Sequence, residues 1–526
     1  MILGDPNISA AEGAYGLGRI TVSELFHYAV RRRPDALALA DPANRSDIVG
    51  GKPRRLSYAA ADRAIAAIAA RLRGMGLPTD AVVGIQLPNV VENVLTMLAV
   101  LRAGMIAAPL PLLWRRADAV TALARVGAKA LITCGRIGAN DHGQFARQAA
   151  AEVFSIRYVC AFGSNLPDGV VSFEDLFSEQ PSGHLLPLDR ARDNPAAHVA
   201  VVTFDVSKKG LVPVARTHSE LFAGGLAVIL ESRLAPEANI LSALLPASFA
   251  GLSLTILPWL FSGGTLVLHH PFDPDLLAWQ RREDRCTALI LPGPVAMRLD
   301  AAGAFADEAP GTVLAPWGEP QALMQSGIWR APRTALIDVA VFGEAALAPA
   351  RRESSGRPVP LTFGAVAVPR NHSGAVTLAE LIRTARDTLA VRGPMVPHHA
   401  YPPGVERSGL PYFMIGHDGT VDTSQRFATL PGSGAAVLHG VPPGVTGVGG
   451  YRFATLALED AVGRIDREAK LSPVADALLG QRLIGTAGDT EAMKAALEAA
   501  GASPLVGAAF TSPAGRAAAD PSADAA

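Results

Sequence analysis

Residues 203–218, TFDVSKKGLVPVARTH, hold the side chains of this chain that are best suited to binding phosphate. They follow a predicted strand at 196–204 and precede a predicted helix at 220–234, so we expect a polar loop between them. Backbone N–H groups and a helix N-terminus bind phosphate at such a junction. The residues expected to contact it are Thr203, Ser207, Lys208, Lys209 and Gly210. The alternative is an ordinary solvated loop with a lysine pair, because short motifs often occur without function.

The segments around this loop alternate between helix-like and strand-like patterns, which predicts an α/β fold. The predicted helices cover 56–76, 92–105, 118–128 and 375–390. The predicted strands cover 81–88, 129–134, 238–246, 265–269, 287–293 and 335–344. Ser57, and Thr21 or Ser23 upstream, are expected to cap helices, because a side-chain oxygen at that position accepts a hydrogen bond from the first turn.

The composition of the chain argues against several classes of protein. Its 526 residues are enough for about two to four domains. Lys+Arg 47 against Asp+Glu 48 gives a formal net charge of −1, which argues against a nucleic-acid-binding protein or a polybasic membrane protein. Cys134, Cys160 and Cys286 are far apart and form no CxxC pair. We therefore expect neither a disulfide framework nor a zinc site, and a cytoplasmic location is favoured.

Two segments bear on membrane targeting. The N-terminus has no basic stretch followed by an apolar core, so no signal peptide is expected. Residues 249–268 form an uncharged run of about the length of a membrane helix. The run contains Pro258 and the pair Gly263-Gly264 and ends in TLVL. We predict a buried helix, a turn and a buried strand there, and no membrane span.

Proline and glycine crowd residues 439–450, HGVPPGVTGVGG, which indicates a break between domains. We predict a large N-terminal domain at 1–438, a hinge or linker at 439–448, a small domain at 449–510 and a disordered tail at 511–526. Helices are expected in the small domain at 453–466 and 490–502.

Three stretches carry a resemblance to a known family. They are residues 56–112, which begin LSYAAADR and contain VVGIQLPN; residues 257–275, LPWLFSGGTLVLHHPFDPD; and residues 447–462, GVGGYRFATLALEDAV. Their motifs and order resemble the adenylate-forming (AMP-binding) superfamily of acyl-CoA synthetases, luciferases and peptide-synthetase adenylation domains. The resemblance implies an α/β fold with a large multi-subdomain N-terminal domain and a small, shortened α+β C-terminal domain.

The resemblance also implies a reaction and its cofactors. Such enzymes couple a carboxylic acid to ATP with the help of Mg²⁺, release pyrophosphate, and pass the acyl group to coenzyme A or another thiol. Their small domain rotates between the two steps. The chemistry requires groups that hold the β- and γ-phosphates and offset the charge that develops at the α-phosphate.

Matching the motifs residue by residue assigns further roles by resemblance. Phe342, Gly343, Thr423 and Gln425 take the places of adenine and ribose contacts, and Glu344 is the candidate metal ligand. Phe249 and Trp317 are candidates for the acyl pocket. Gly449, Gly450, Tyr451 and Arg452 match the motif at the start of the small domain, which is associated with coenzyme A.

The chain departs from the family pattern at most of these motifs. The phosphate loop has one glycine in place of three, which leaves fewer positions free to adopt a positive φ. Where the family has a threonine and a glutamate, this chain has Ala345 and Ala346, and Glu344 lies two places early. Gln425 replaces the ribose aspartate. The family's hinge charges are absent, and Arg516 is only a faint match to the late catalytic lysine.

Two hypotheses follow. The first is an AMP-forming acid–thiol ligase with altered motifs. The second is a catalytically silent relative that keeps the fold to bind an acyl or nucleotide ligand, or a partner enzyme. An oxidoreductase or an α/β-hydrolase has little support, because neither a GxGxxG after an early strand nor a GxSxG elbow is present. The sequence does not identify the acid, the thiol acceptor or the oligomeric state.

Overall fold

The computed structural model describes residues 19–177, 193–306, 309–369, 375–430, 432 and 434–511. Its α-helices are α1 (Val22–Arg32), α2 (Arg45–Ile48), α3 (Tyr58–Gly74), α4 (Val91–Arg102), α5 (Arg116–Arg125), α6 (His142–Glu152), α7 (His218–Ser232), α8 (Phe249–Leu254), α9 (Ile256–Ser262), α10 (Pro274–Glu283), α11 (Gly293–Ala301), α12 (Pro320–Met324), α13 (Thr455–Ile465), α14 (Thr490–Ala499) and α15 (Pro504–Gly507). Its strands are β1 (Leu37–Ala40), β2 (Arg55–Ser57), β3 (Val82–Gln86), β4 (Ile106–Pro109), β5 (Ala130–Cys134), β6 (Arg136–Ile137), β7 (Asn140–Asp141), β8 (Tyr158–Phe162), β9 (Val170–Ser172), β10 (Val199–Ser207), β11 (Gly210–Thr217), β12 (Asn239–Ser242), β13 (Thr265–Leu268), β14 (Ala288–Ile290), β15 (Thr312–Trp317), β16 (Ala335–Phe342), β17 (Ala346–Arg351), β18 (Leu361–Thr362), β19 (Gly364–Pro369), β20 (Ala375–Arg383), β21 (Thr388–Arg392), β22 (Val421–Thr429), β23 (Ala435–His439), β24 (Val445–Val448), β25 (Tyr451–Ala454), β26 (Lys470–Asp476) and β27 (Gly480–Thr486).

Two mostly parallel sheets form the large part of the molecule. One has eight strands in the order β17-β16-β15-β14-β12-β13-β1-β2, and the other has seven in the order β11-β10-β4-β3-β5-β8-β9. Their central strands β3, β4, β13, β14 and β15 are buried along their whole length, as expected for parallel strands covered on both faces. The predicted α/β fold class is confirmed.

Each parallel sheet ends in an antiparallel hairpin. The hairpin β10–β11 closes one edge of the seven-stranded sheet, and β16–β17 closes one edge of the eight-stranded sheet. Side chains of β10 and β11 contact the turn 343–345 that joins β16 to β17. The candidate site lies at this meeting of two hairpins.

A third sheet is antiparallel, with the order β18-β23-β22-β21-β20-β19. The predicted helix at 375–390 is wrong, because these residues form β20 and the start of β21. The segment contains four Ala, three Leu and two Arg residues, which favour helices. Pairing of β20 with strands on both sides overrides that weak local preference.

The C-terminal part has its own hydrophobic core. Its buried apolar residues are Val448, Phe453, Leu458, Val462, Leu483, Met493, Leu497, Val506, Ala509 and Phe510. Helices α13 and α14 confirm the predicted helices at 453–466 and 490–502. The predicted linker at 439–448 contains β24, a strand that the sequence did not indicate. The domain boundaries themselves stay predictions, and the predicted tail from residue 512 onward lies outside the described residues.

The N-terminal caps predicted at Thr21 and Ser57 are present in the structure. Thr21 forms a capping box with Glu24, and the side chain of Ser57 accepts a hydrogen bond from the N–H of Ala60. Residues 249–268 form α8, α9, a turn and β13, as predicted. Within the described part of the chain, no helix is long and apolar enough to cross a membrane.

Candidate functional site

The predicted phosphate loop is a β-hairpin, so the prediction of a loop at 203–218 is wrong. Strands β10 and β11 pair from Val199↔Thr217 to Ser207↔Gly210, and Lys208 and Lys209 form the exposed two-residue turn. The β-branched residues spaced through both strands favour extended backbone. Gly210, with φ of 110°, supplies the positive φ next to the turn.

The hydroxyl groups of this hairpin are bonded within the protein. Ser207 donates to the carbonyl of Gly210 (3.1 Å) and accepts from the N–H of Lys209 (3.2 Å). Thr203 is fully buried and donates to Oε2 of Glu344 (2.5 Å). Of the side chains expected to contact phosphate, the two hydroxyls are therefore bonded within the protein, whereas Lys208 and Lys209 are exposed.

Glu344 joins the two hairpins to α8. Its Oε2 accepts hydrogen bonds from the Thr203 hydroxyl and from the backbone N–H of Phe249 (2.9 Å). Burial raises the pKa of Glu344 to about 7, while the Thr203 hydrogen bond and the charge of Arg216 lower it. The sequence assigned metal binding to Glu344, and that role stays a prediction. In the structure its Oε2 joins the hydroxyl of Thr203 to the backbone of Phe249.

Arg216, on β11, is fully buried beside Glu344. Its guanidinium donates to the carbonyls of Met395, Glu344 and Ala345. It also lies over the ring of Phe249, 3.5 Å from the ring centroid, which is within the range of a cation–π contact. Burial lowers the pKa of Arg216 to about 10, and the charges of Glu220 and Glu344 oppose that shift.

The N-terminus of α7, which follows the hairpin, is occupied by side chains of the chain itself. Thr217 and Glu220 form a capping box, with Glu220 Oε2 accepting from the N–H of Thr217 (2.8 Å). Glu220 Oε1 also receives the backbone N–H of His398 (3.1 Å) and lies 2.8 Å from His398 Nδ1. A carboxylate thus sits where a phosphate was expected to bind.

Asp205, on the same face of β10 as Thr203, connects the hairpin to the C-terminal part. Its Oδ1 accepts from Arg452 Nη1 (3.0 Å), and its Oδ2 accepts from the N–H of Glu344 (3.0 Å). Gly343 has a φ of 56°, and a Cβ there would lie 2.4 Å from Asp205 and 2.5 Å from Arg452. A side chain at position 343 would therefore have to displace the ends of Asp205 and Arg452.

The segment 449–452 forms the turn and the start of strand β25. Gly449 and Gly450 have φ of 57° and 85° and connect β24 to β25. The phenol of Tyr451 accepts a hydrogen bond from the N–H of Leu113 (3.3 Å). Tyr451 and Arg452 therefore both attach the C-terminal part to the large part.

The aromatic residues assigned to the adenine and acyl sites are buried. Phe342, at the end of β16, is 2% exposed, and Phe249 is covered by Arg216. Trp317 donates from Nε1 to Asp338 (2.8 Å), and its indole lies where a Cβ of residue 293 would be. Their ligand-binding roles stay predictions.

The residues assigned to ribose lie in the third sheet. Thr423 donates to the carbonyl of Leu389 (2.6 Å), and Gln425 is 1% exposed with both polar side-chain atoms unpaired. Within the described part of the chain, no hydrogen bond or ion pair joins Thr423 or Gln425 to the hairpin β10–β11. The ribose role stays a prediction.

Several groups that were expected to contact ATP or Mg²⁺ are already bonded within the protein. The hairpin hydroxyls, Glu344 Oε2 and both oxygens of Asp205 are already hydrogen-bonded. Within the described residues, no group of three or more His, Cys, Asp or Glu side chains could hold a metal ion. Sequence reasoning missed Asp205 and Arg216, whose only signal was a single charged residue within an otherwise uncharged strand.

The comparisons with known proteins agree with the fold. A model of the family described as AMP-binding enzyme matches residues 26–354. A 2-hydroxy-7-methoxy-5-methyl-1-naphthoate–CoA ligase of Streptomyces carzinostaticus is 31% identical over 201 residues, 37% of this chain and 34% of that protein. A salicyl-AMP ligase / salicyl-S-ArCP synthetase of Mycobacterium tuberculosis (strain ATCC 25618 / H37Rv) is 31% identical over 183 residues, 35% of this chain and 31% of that protein.

A solved structure matches over a greater length. Amide bond synthetase McbA from Marinactinospora thermotolerans superposes with a TM-score of 0.70 and 17% identity, covering 93% of this chain and 94% of that chain. At this identity the match shows the fold alone. The sequence matches span about a third of the length of the curated relatives.

Proposed function

This chain belongs to the AMP-binding enzyme family, and from that premise we propose that it binds an aromatic carboxylic acid or its acyl derivative without transferring adenylate to it. The proposal has two parts: loss of the ATP-dependent step, and retention of a ligand on the acid side of the fold.

The observation that carries the first part is the contact between Thr203, Glu344 and Phe249. The buried Oε2 of Glu344 accepts hydrogen bonds from the hydroxyl of Thr203 and from the N–H of Phe249. A hydroxyl that faces inward does not stabilise charge on a phosphate. Loss of one key donor of this kind reduces kcat by about 100- to 1000-fold, and the nearby Ser207 hydroxyl is engaged as well.

The ligand class rests on the relatives. Two of the curated relatives are named for a hydroxylated naphthoate and for a salicyl group, both of them aromatic. Trp317 is the aromatic side chain that we assign to the ring of the acid. Its indole is fixed by the hydrogen bond to Asp338, which Arg352 contacts in turn through Nε (2.7 Å). A rigid aromatic wall favours a flat apolar ring over a flexible chain.

One observation favours the ligase as a second candidate. Tyr451 and Arg452, which match the family's C-terminal motif, contact the large part of the molecule at Leu113 and Asp205. A ligase needs both parts to meet at one site. In that case Lys208 and Lys209 would supply the charge for phosphate.

Two experiments test the proposal. The first is calorimetric titration with salicylate and with hexanoate, and the second is a pyrophosphate-release assay with ATP and Mg²⁺. We expect saturable binding of salicylate, weaker binding of hexanoate, and no acid-dependent pyrophosphate. Trp317→Leu should weaken salicylate binding, whereas Trp279→Leu, at a side chain that is 47% exposed on α10, should not. Acid-dependent pyrophosphate release would instead establish the ligase, and absence of acid binding would overturn the binding role.

A further inference from the structure

The carboxylate of Asp205 is held by donors from three separate segments of the chain. Oδ1 accepts from the N–H of Val206 (2.7 Å) and from Arg452 Nη1 (3.0 Å), and Oδ2 accepts from the N–H of Glu344 (3.0 Å). Two backbone N–H groups and a guanidinium form a donor set of the kind that proteins use for oxyanions. The donors converge on an oxyanion that belongs to the chain itself.

The ion pair of Asp205 and Arg452 is largely buried but remains in contact with solvent. The side chains of Asp205 and Arg452 are 12% and 16% exposed, so solvent and small ions reach the pair. Gly343 leaves room for both groups, because a Cβ at that position would lie within 2.5 Å of each. The site thus depends on a glycine whose missing side chain makes space for a charged pair.

Other charged side chains act on the pair. Arg216 and Glu344 interact electrostatically with Asp205, and Glu319 interacts with Arg452. The Cβ of Lys208 lies 2.8 Å from the point where a Cβ of residue 444 would be, which places this lysine near the segment leading into β24. Arg452 is the cation nearest to the carboxylate, and the two acidic neighbours limit how much negative charge the position accepts.

We propose that Arg452 and the N–H groups of Val206 and Glu344 form an anion site that Asp205 occupies as a tethered substitute for a small phosphate-type oxyanion. A tethered carboxylate competes with free anions at an effective concentration on the order of millimolar or above. The native chain therefore binds such anions weakly, and removal of the carboxylate opens the site. This inference goes beyond the proposed function, because it concerns an inorganic anion and needs neither nucleotide nor acid.

Calorimetric titration of the full chain with inorganic pyrophosphate, without nucleotide, acid or Mg²⁺, tests this inference. We expect Asp205→Ala to bind pyrophosphate at least about tenfold more tightly than the wild type. The double variant Asp205→Ala/Arg452→Ala should lose that gain. Circular dichroism and thermal unfolding verify that each variant is folded.

A second variant keeps the inference testable if Asp205→Ala does not fold. Asp205→Asn keeps a side chain of the same shape and removes the charge, so we expect a smaller gain in pyrophosphate binding that again depends on Arg452. A folded Asp205→Ala or Asp205→Asn chain with no gain over the wild type would overturn the inference. A gain that survives Arg452→Ala would also overturn it, because the anion would then bind elsewhere.

Discussion

The hydroxyl of Thr203 donates a hydrogen bond to the buried carboxylate of Glu344, and the two oxygens lie 2.5 Å apart. Thr203 belongs to the edge hairpin of one sheet, and Glu344 lies in the edge hairpin of the other. The contact therefore links the two sheets through residues to which the family resemblance assigned phosphate binding and metal binding.

Replacing Glu344 by glutamine is expected to change how stability depends on pH. Burial raises the pKa of Glu344 from its ordinary value of 4.5 to about 7, so the folded protein holds this proton more tightly than the unfolded chain. The wild type should lose stability as pH rises from about 4.5 to about 7, on the order of 3 kcal/mol, because each pKa unit corresponds to about 1.4 kcal/mol. Glu344→Gln should lack this loss.

Urea unfolding of wild type and Glu344→Gln at several pH values measures the effect. The exposed Glu353→Gln is the matched control and should follow the wild type. Parallel pH profiles of wild type and Glu344→Gln would show that Glu344 does not keep a raised pKa in the folded protein.

Replacing Arg216 by methionine is expected to destabilise the protein by about 3 kcal/mol or more, since three buried carbonyls lose their donor at about 1 kcal/mol or more each. The carbonyls are those of Met395, Glu344 and Ala345. Arg426→Met, at an exposed position of β22, should change stability by less than about 0.5 kcal/mol. Denaturant unfolding compares the two, and equal small effects would contradict a structural role for the buried guanidinium.

Replacing Gly343 by alanine is expected to separate strand β25 from the hairpin. The new Cβ would meet Asp205 and Arg452, whereas at Gly419, which also has a positive φ, a Cβ would meet nothing within 4 Å. Both variants should lose about 1 kcal/mol for backbone strain, and Gly343→Ala about 1–3 kcal/mol more for the overlap. Limited proteolysis of residues 440–448 provides a second readout. Equal unfolding energies and cleavage rates for the two variants would refute this contact.

The sequence predicted the parts of the fold whose local and tertiary preferences agree. Helix α3 begins after Ser57 because the side chain of that residue caps it, and the central strands are continuous apolar runs. The helix predicted at 375–390 does not form, because these helix-favouring residues pair with a strand on each side.

The candidate site was only partly predictable. The sequence singled out Thr203, Glu344 and Arg452, but it indicated contacts with a nucleotide or thiol rather than with one another and with Asp205. The β-hairpin was missed because a Ser-Lys-Lys-Gly stretch reads as a loop in isolation. Its strands exist because β10 also pairs with β4 and the inner face packs on the turn at Glu344, and neither interaction is visible in a local pattern.

Equilibrium dialysis of the wild-type chain against labelled ATP and Mg²⁺ tests most directly whether the Thr203–Glu344 contact has replaced phosphate binding. We expect no nucleotide to be retained at millimolar ATP, and the same result for the Lys208→Ala/Lys209→Ala variant, whose two side chains are exposed. Retention of ATP by the wild type would contradict the account. Loss of that retention in the double variant would then assign the phosphates to the two lysines at the tip of the hairpin.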